Sequence, residues 1–131
     1  MSGIVRDTAA MIAGMRPLLT EGTFVFALSE DMGLLPEAMA FYREAEGPAW
    51  ILPLAVAEAR GLDTALPMRC ITLQVNSALD GIGLTAAVAG ALTEAGIPCN
   101  MVAATRHDHV YVPADKADAA LACLQALSAG G

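Results

Sequence analysis

The polar cluster with the clearest chemical potential is His107-Asp108-His109. Residues two apart in an extended strand point to the same side, so this spacing could place both imidazoles together as half of a metal site. A structural zinc site requires a complete tetrahedral set of ligands, and no second His or Cys pair lies nearby in the sequence, although Cys99 could approach across a hairpin. The alternative interpretation is a hairpin turn in which the Asp108 carboxylate caps backbone N–H groups.

Cys99 and a neighbouring histidine could also form a nucleophile–base pair, but nothing in the sequence indicates an activated thiolate or an oxyanion hole. The sequence contains no P-loop, no G-x-S-x-G stretch and no complete dinucleotide fingerprint. Gly81-x-Gly83 lacks the third glycine of that fingerprint. We therefore expect a protein without catalytic residues and without a cofactor.

A second candidate site is the glycine-containing loop that precedes a predicted helix. Asn76 and Ser77 supply short polar side chains, and Gly81 and Gly83 allow a ligand to approach the backbone closely. The helix, which begins near Leu84, presents unpaired N–H groups and the positive end of its dipole at this loop. Such an end suits a carboxylate, including that of an amino acid. The alternative interpretation is an ordinary capped helix start.

The elements around this loop follow from the hydrophobic periodicity. Alternation and turn residues predict strands at residues 70–75, 97–104 and 109–112, with a turn at 106–108. Helical spacing predicts helices at residues 84–95 and 115–127. Upstream, the same criteria predict a helix at 8–19, a strand at 23–28, a loop at 30–36, strands at 38–46 and 49–52 joined at Gly47-Pro48, and a short helix at 54–60.

A strand that ends in proline and leads into an Ala-rich helix occurs twice, at residues 51–53 and 111–113. The order of elements around it is strand, connection, hairpin, proline, helix. Repetition of this order predicts an α+β, ferredoxin-like fold with antiparallel sheets and helices on one face. We expect two related halves, residues 1–64 and 65–131, of which the first is degenerate because its connection is only a loop.

Composition excludes several partners. The net charge of −7 disfavours nucleic acid and anionic membranes. Hydrophobic residues make up 56% of the chain, but the apolar runs fall short of the roughly 20 residues of a membrane span, and the N-terminus does not resemble a signal peptide. Three widely spaced cysteines are no disulfide framework, so we expect free thiols and a cytoplasmic location.

Residues 70–77 (CITLQVNS) and 81–88 (GIGLTAAV) resemble the first strand, loop and helix of an ACT domain. Residues 94–102 (EAGIPCNMV) resemble the start of its second strand. Residues 107–113 (HDHVYVP) are similar to the ending of a bacterial branch of stand-alone tandem ACT-like proteins, and residues 41–47 (FYREAEG) resemble a stretch in the N-terminal half of that branch.

The resemblance implies a non-catalytic regulatory protein of βαββαβ type that binds a small molecule, most often an amino acid, where two such domains meet. The ligand-binding residues that it implies are Asn76, Ser77, Gly81, Gly83, Leu84, Asn100 and Met101. It also implies a homodimer and an enzyme that the protein regulates.

No strand is predicted after residue 127, so a strand from the other half or from a partner chain is expected to complete each sheet. Two alternative functions stay open. One is an interaction module without a ligand, and the other is a metal-binding protein that uses His107 and His109.

Overall fold

The computed structural model describes residues 3–130 and places four helices and seven strands there. In chain order these are α1 (Thr8–Ala13), β1 (Pro17–Leu19), β2 (Phe24–Leu28), β3 (Ala40–Glu44), β4 (Gly47–Pro53), α2 (Leu54–Ala59), β5 (Met68–Leu73), α3 (Leu84–Glu94), β6 (Asn100–Ala103), β7 (Asp108–Pro113) and α4 (Ala117–Ser128). Two 3-10 helices, Met32–Glu37 and Ala114–Lys116, precede β3 and α4.

The chain forms two compact units, which we call the central unit and the terminal unit. The central unit is Glu21–Met68, and the terminal unit combines the segment up to Thr20 with the segment from Arg69 onward. These units are defined by packing, whereas the predicted halves, residues 1–64 and 65–131, are defined by the sequence repeat. The two related halves therefore stay a prediction.

The terminal unit contains the strands β1, β5, β7 and β6, side by side in that order. β1 pairs antiparallel with β5, with Pro17 opposite Leu73, and β6 pairs antiparallel with β7. The strand β1, which comes from the first predicted half, therefore completes this sheet. A strand from the other half is one of the two arrangements expected from the sequence. The helices α1, α3 and α4 pack together, and the buried core includes Met11, Met15, Ile71, Leu73, Val88, Leu92, Val110, Val112, Ala120 and Leu124.

The central unit is built on the three strands β3, β4 and β2, in that order. Its core, with α2 and the first 3-10 helix, contains Val25, Ala27, Leu34, Trp50, Leu52 and Ala57. The Trp50 Nε1–H donates to the carbonyl of Ser29 at 2.9 Å, and its ring lies 4.7 Å from that of Phe41. Trp50 therefore has a packing role, as an indole with a buried hydrogen bond usually does.

The antiparallel α+β architecture confirms the ferredoxin-like prediction, while several predicted boundaries are wrong. The helix predicted at residues 8–19 ends at Ala13, and the chain turns through Arg16, whose φ is +40°, before β1. The residue before a proline is disfavoured in the helical region, so Pro17 accounts for this break. The loop predicted at 30–36 contains a 3-10 helix capped by the Asp31 side chain. Gly47-Pro48 forms the start of β4, and the turn lies at residues 45–46.

Candidate functional site

The loop between β5 and α3 borders a cavity of about 120 Å³ within the terminal unit. It is lined by Met11, Ser77, Ala78, Leu79, Gly81, Gly83, Leu84, Thr85, Ala103 and Asp108. The structure thus brings together four of the residues predicted for the ligand site, namely Ser77, Gly81, Gly83 and Leu84.

The other three predicted residues do not line this cavity. Asn76 is half-buried, and its backbone carbonyl accepts a hydrogen bond from the Val5 N–H at 2.8 Å. Asn100 is exposed at the first position of β6, opposite Tyr111. Met101 is half-buried and packs against the core of the terminal unit. Their part in ligand binding stays a prediction.

The N-terminus of α3 opens onto the cavity without a side-chain cap. Its N-cap is Gly83, which has φ +104° and no side chain to accept a hydrogen bond, and the first turn contains no acidic residue. The first backbone hydrogen bond of the helix runs from the Ala87 N–H to the Gly83 carbonyl at 2.9 Å. The N–H groups of Leu84, Thr85 and Ala86 precede it, and no hydrogen bond from them to residues 3–130 is present, so they are left to water or a ligand.

The segment of residues 5–11, which we call the N-terminal strap, is bound to this loop. Val5 forms a parallel bridge with Ser77: its N–H donates to the Asn76 carbonyl at 2.8 Å, and its carbonyl accepts from the Ala78 N–H at 2.9 Å. Arg6 adds an exposed ion pair with Asp80 at 3.1 Å. The strap therefore fixes the backbone of the loop that leads into α3.

Two glycines fit closely against the strap. A Cβ at Gly83 would lie 2.7 Å from Thr8 Cγ2, while the Thr8 hydroxyl donates to the Ile82 carbonyl. A Cβ at Gly81 would lie 3.1 Å from both the Sδ and Cε atoms of Met11, which line the cavity. Close packing against the strap therefore explains glycine at these two positions.

Asp108 is the buried charged residue of the cavity, with 7% of its surface exposed. Among the residues that the structure describes, one hydrogen bond reaches its carboxylate, from the Ser77 hydroxyl at 3.4 Å. This distance is longer than an ordinary O–H···O hydrogen bond. Burial raises the pKa of Asp108, and the hydrogen bond from Ser77 and the charges of His109 and His107 only partly oppose that rise.

The interpretation of Asp108 as a turn cap is wrong, because this residue begins β7 and lies in the cavity wall. The same two-residue period that groups the histidines would have placed Asp108 on the inward face with Val110 and Val112. Met11 was also missed as a wall residue, since its helical spacing indicated only a core position.

A ring nitrogen of each histidine lies within hydrogen-bond distance of another group of the protein. The His109 Nδ1 lies 3.0 Å from the Thr72 hydroxyl, and burial lowers the pKa of His109. The His107 Nδ1 lies 3.4 Å from the Val75 carbonyl. Within residues 3–130, no group of three or more His, Cys, Asp or Glu side chains is arranged to hold a metal ion.

Cys99 shows no activation. Burial raises the pKa of its thiol, which favours the protonated form rather than the thiolate that a nucleophile needs. All three cysteines are free.

Comparison with known proteins identifies the family. ACT-domain family models match residues 4–69 and residues 66–126. The chain belongs to the ACT-domain family. The two matches lie in tandem, as the resemblance implied. None of the helices within residues 3–130 is long and apolar enough to cross a membrane. No curated protein sequence gives a significant match.

Solved structures share the fold of this ACT protein. A Vibrio cholerae protein of unknown function, described as a possible transport protein, is 36% identical over 88% of this chain and 92% of its own, with a TM-score of 0.80. An Agrobacterium tumefaciens protein is 18% identical over 86% and 87%, with a TM-score of 0.69. The ligand-free regulatory subunit of Thermus thermophilus aspartate kinase is 13% identical over 87% and 97%, with a TM-score of 0.59.

Proposed function

We propose that this ACT protein is a non-catalytic sensor that binds an amino acid in the cavity of the terminal unit. The observation that carries the proposal is the convergence of Ser77, Gly81, Gly83 and Leu84 on one cavity at the uncapped start of α3. The structures of aspartate kinase regulatory subunits with the same fold support a regulatory role.

A carboxylate is the ligand group that the start of α3 suits best. The first N–H groups of the helix point out of its end, and the aligned peptide dipoles place partial positive charge there. No side chain of this helix competes for these donors, since Gly83 has none and the first turn is not acidic. A bound carboxylate would satisfy donors that otherwise rely on water.

The response to the ligand would be a shift in self-association, or in association with an enzyme that the protein regulates in the cytoplasm. Apolar side chains on the outer surface of the central unit support a homodimer: Phe26 is 44% exposed, Leu28 72% and Tyr42 73%. Apolar patches that persist on a surface commonly mark interaction sites. A ligand that binds one arrangement more tightly shifts the population toward it.

The test is a thermal-shift screen of the full chain against the common amino acids, with calorimetry on each positive result. Gly81→Ala is the site variant, because its Cβ would lie 3.1 Å from Met11 and the Ala78 carbonyl and so narrow the cavity. Gly90→Ala is the matched control, since a Cβ there meets nothing within 4 Å on the exposed face of α3.

We expect one amino acid or a small set to raise the melting temperature of the wild type and of Gly90→Ala, and to have a weaker effect on Gly81→Ala. A ligand that binds Gly81→Ala and Gly90→Ala equally would place the site elsewhere. No shift with any amino acid would contradict the sensor function and favour an interaction module without a ligand.

A further inference from the structure

We propose that Asp108 binds the ammonium group of the ligand, and that the ligand is a zwitterionic α-amino acid with a small side chain. This inference rests on the proposed function and adds that the ammonium group of the ligand lies against Asp108 while its carboxylate lies against the start of α3. It also limits the size of the ligand side chain.

The Asp108 carboxylate is buried without a strong partner among the residues that the structure describes. It is more than nine-tenths buried, it lines the cavity, and among residues 3–130 no ion pair reaches it. Its one hydrogen bond, from the Ser77 hydroxyl, is long at 3.4 Å. Burial of a carboxylate without a cation or short hydrogen bonds is costly. A ligand ammonium group would supply a directly bonded positive charge with short hydrogen bonds, which the long bond from Ser77 and the nearby His107 and His109 do not provide.

The cavity has walls that favour opposite charges. One wall is the uncapped N-terminus of α3, which favours negative charge, and another contains Asp108, which favours positive charge. Both occur in a single cavity of about 120 Å³. A simple carboxylate would satisfy only the helix, and a simple amine would satisfy only Asp108. An α-amino acid carries both groups on adjacent atoms.

The volume of the cavity limits the size of the ligand. A protein cavity of about 150 Å³ holds benzene, which has six heavy atoms. The present cavity is smaller at about 120 Å³, so in proportion it accommodates about five heavy atoms. Glycine matches that size, alanine and serine exceed it by about one and two heavy atoms, and leucine by about four. Met11 packs against Gly81, where an added Cβ would lie 3.1 Å from its Sδ and Cε atoms, so there is little further room on that side.

The experiment is isothermal titration calorimetry of the full chain with glycine, L-alanine, L-serine and L-leucine, and with propionate, which has the carboxylate but no ammonium group. The variants are Asp108→Asn, which keeps the shape of the side chain and removes its charge, and Glu94→Gln. The latter removes one negative charge from the exposed end of α3 and is the control for net charge.

We expect a small amino acid to bind the wild type and Glu94→Gln equally, and Asp108→Asn at least about tenfold more weakly, as the loss of a hydrogen bond to a charged group predicts. Propionate should bind the wild type more weakly than alanine does, and should not be weakened by Asp108→Asn. The comparison of alanine with propionate needs only the wild type, so it stands even if Asp108→Asn does not fold.

Three results would overturn the inference. Equal affinity of a small amino acid for the wild type and Asp108→Asn would remove Asp108 from the site while leaving the sensor function intact. Leucine binding as tightly as alanine would refute the size limit. No binding of any amino acid would overturn the proposed function together with this inference.

Discussion

Replacement of Gly83 by alanine should destabilise the terminal unit through two separable effects. Gly83 has φ +104°, a region that residues with a Cβ adopt at a cost of about 1–3 kcal/mol. Its Cβ would also lie 2.7 Å from Thr8 Cγ2, so the N-terminal strap must move and the hydrogen bond from Thr8 to the Ile82 carbonyl is lost or strained. That bond contributes about 1 kcal/mol. We expect a total loss of about 2–4 kcal/mol.

The two effects separate in a Thr8→Ser background. Serine lacks the Cγ2 atom and keeps the hydroxyl, so the next nearest Thr8 atoms to the alanine Cβ are Oγ1 at 3.5 Å and Cβ at 3.8 Å, which are ordinary contacts. In that background Gly83→Ala should cost only the backbone contribution of about 1–3 kcal/mol.

The assay is urea unfolding of the four proteins of this double-mutant cycle, followed by circular dichroism. Thr8→Ser alone should cost little, because its hydroxyl can still reach the Ile82 carbonyl. If Gly83→Ala has the same cost in both backgrounds, the strap does not pack against Gly83 as described. If Gly83→Ala does not change the free energy of unfolding in the wild-type background, the left-handed backbone conformation of Gly83 is wrong as well.

Three further predictions follow from single contacts. Burial raises the pKa of Asp108, so the folded protein binds the carboxyl proton of Asp108 more tightly than the unfolded chain does. The protonated carboxyl group is therefore tolerated at acidic pH, and the folded state loses stability as the pH rises through the raised pKa. In urea unfolding, Asp108→Asn should therefore be more stable than the wild type at neutral pH, and the difference in free energy of unfolding should shrink on acidification. An Asp108→Asn variant that is less stable than the wild type at neutral pH would contradict this. Trp50→Phe should cost about 1–3 kcal/mol, because it loses the hydrogen bond to the Ser29 carbonyl and leaves a gap in the core of the central unit; a cost near zero by the same method would refute this packing. Arg6→Gln should change the free energy of unfolding by less than about 1 kcal/mol, since its ion pair with Asp80 is exposed, and a larger loss would mean that this pair holds the strap in place.

Periodicity predicted the fold well where one face of an element is buried. In β5, Ile71 and Leu73 face the core, as their alternation indicates, and α3 buries Leu84, Val88 and Leu92 at helical spacing. The predictions failed where a local conformation overrides the pattern. Residues 8–19 have continuous helical spacing, but the chain leaves the helix before Pro17 and continues as β1.

The candidate site was predictable only in its local part. Ser77, Gly81, Gly83 and Leu84 are close in sequence, so the loop that they form could be read directly from their spacing. Met11 and Asp108 reach the same cavity from distant segments, and only the packing of the strap and of β7 brings them there. Asp108 was predicted to cap the turn, although its place in the strand alternation indicates an inward side chain.

The most direct test of the central claim is an NMR titration of the ¹⁵N-labelled protein with the amino acid that gives the largest thermal shift. We expect the largest amide shifts to cluster at the start of α3, in Leu84, Thr85 and Ala86, and at Ser77 and Asp108. Shifts that cluster within Glu21–Met68, or the absence of saturable shifts with any amino acid, would contradict it.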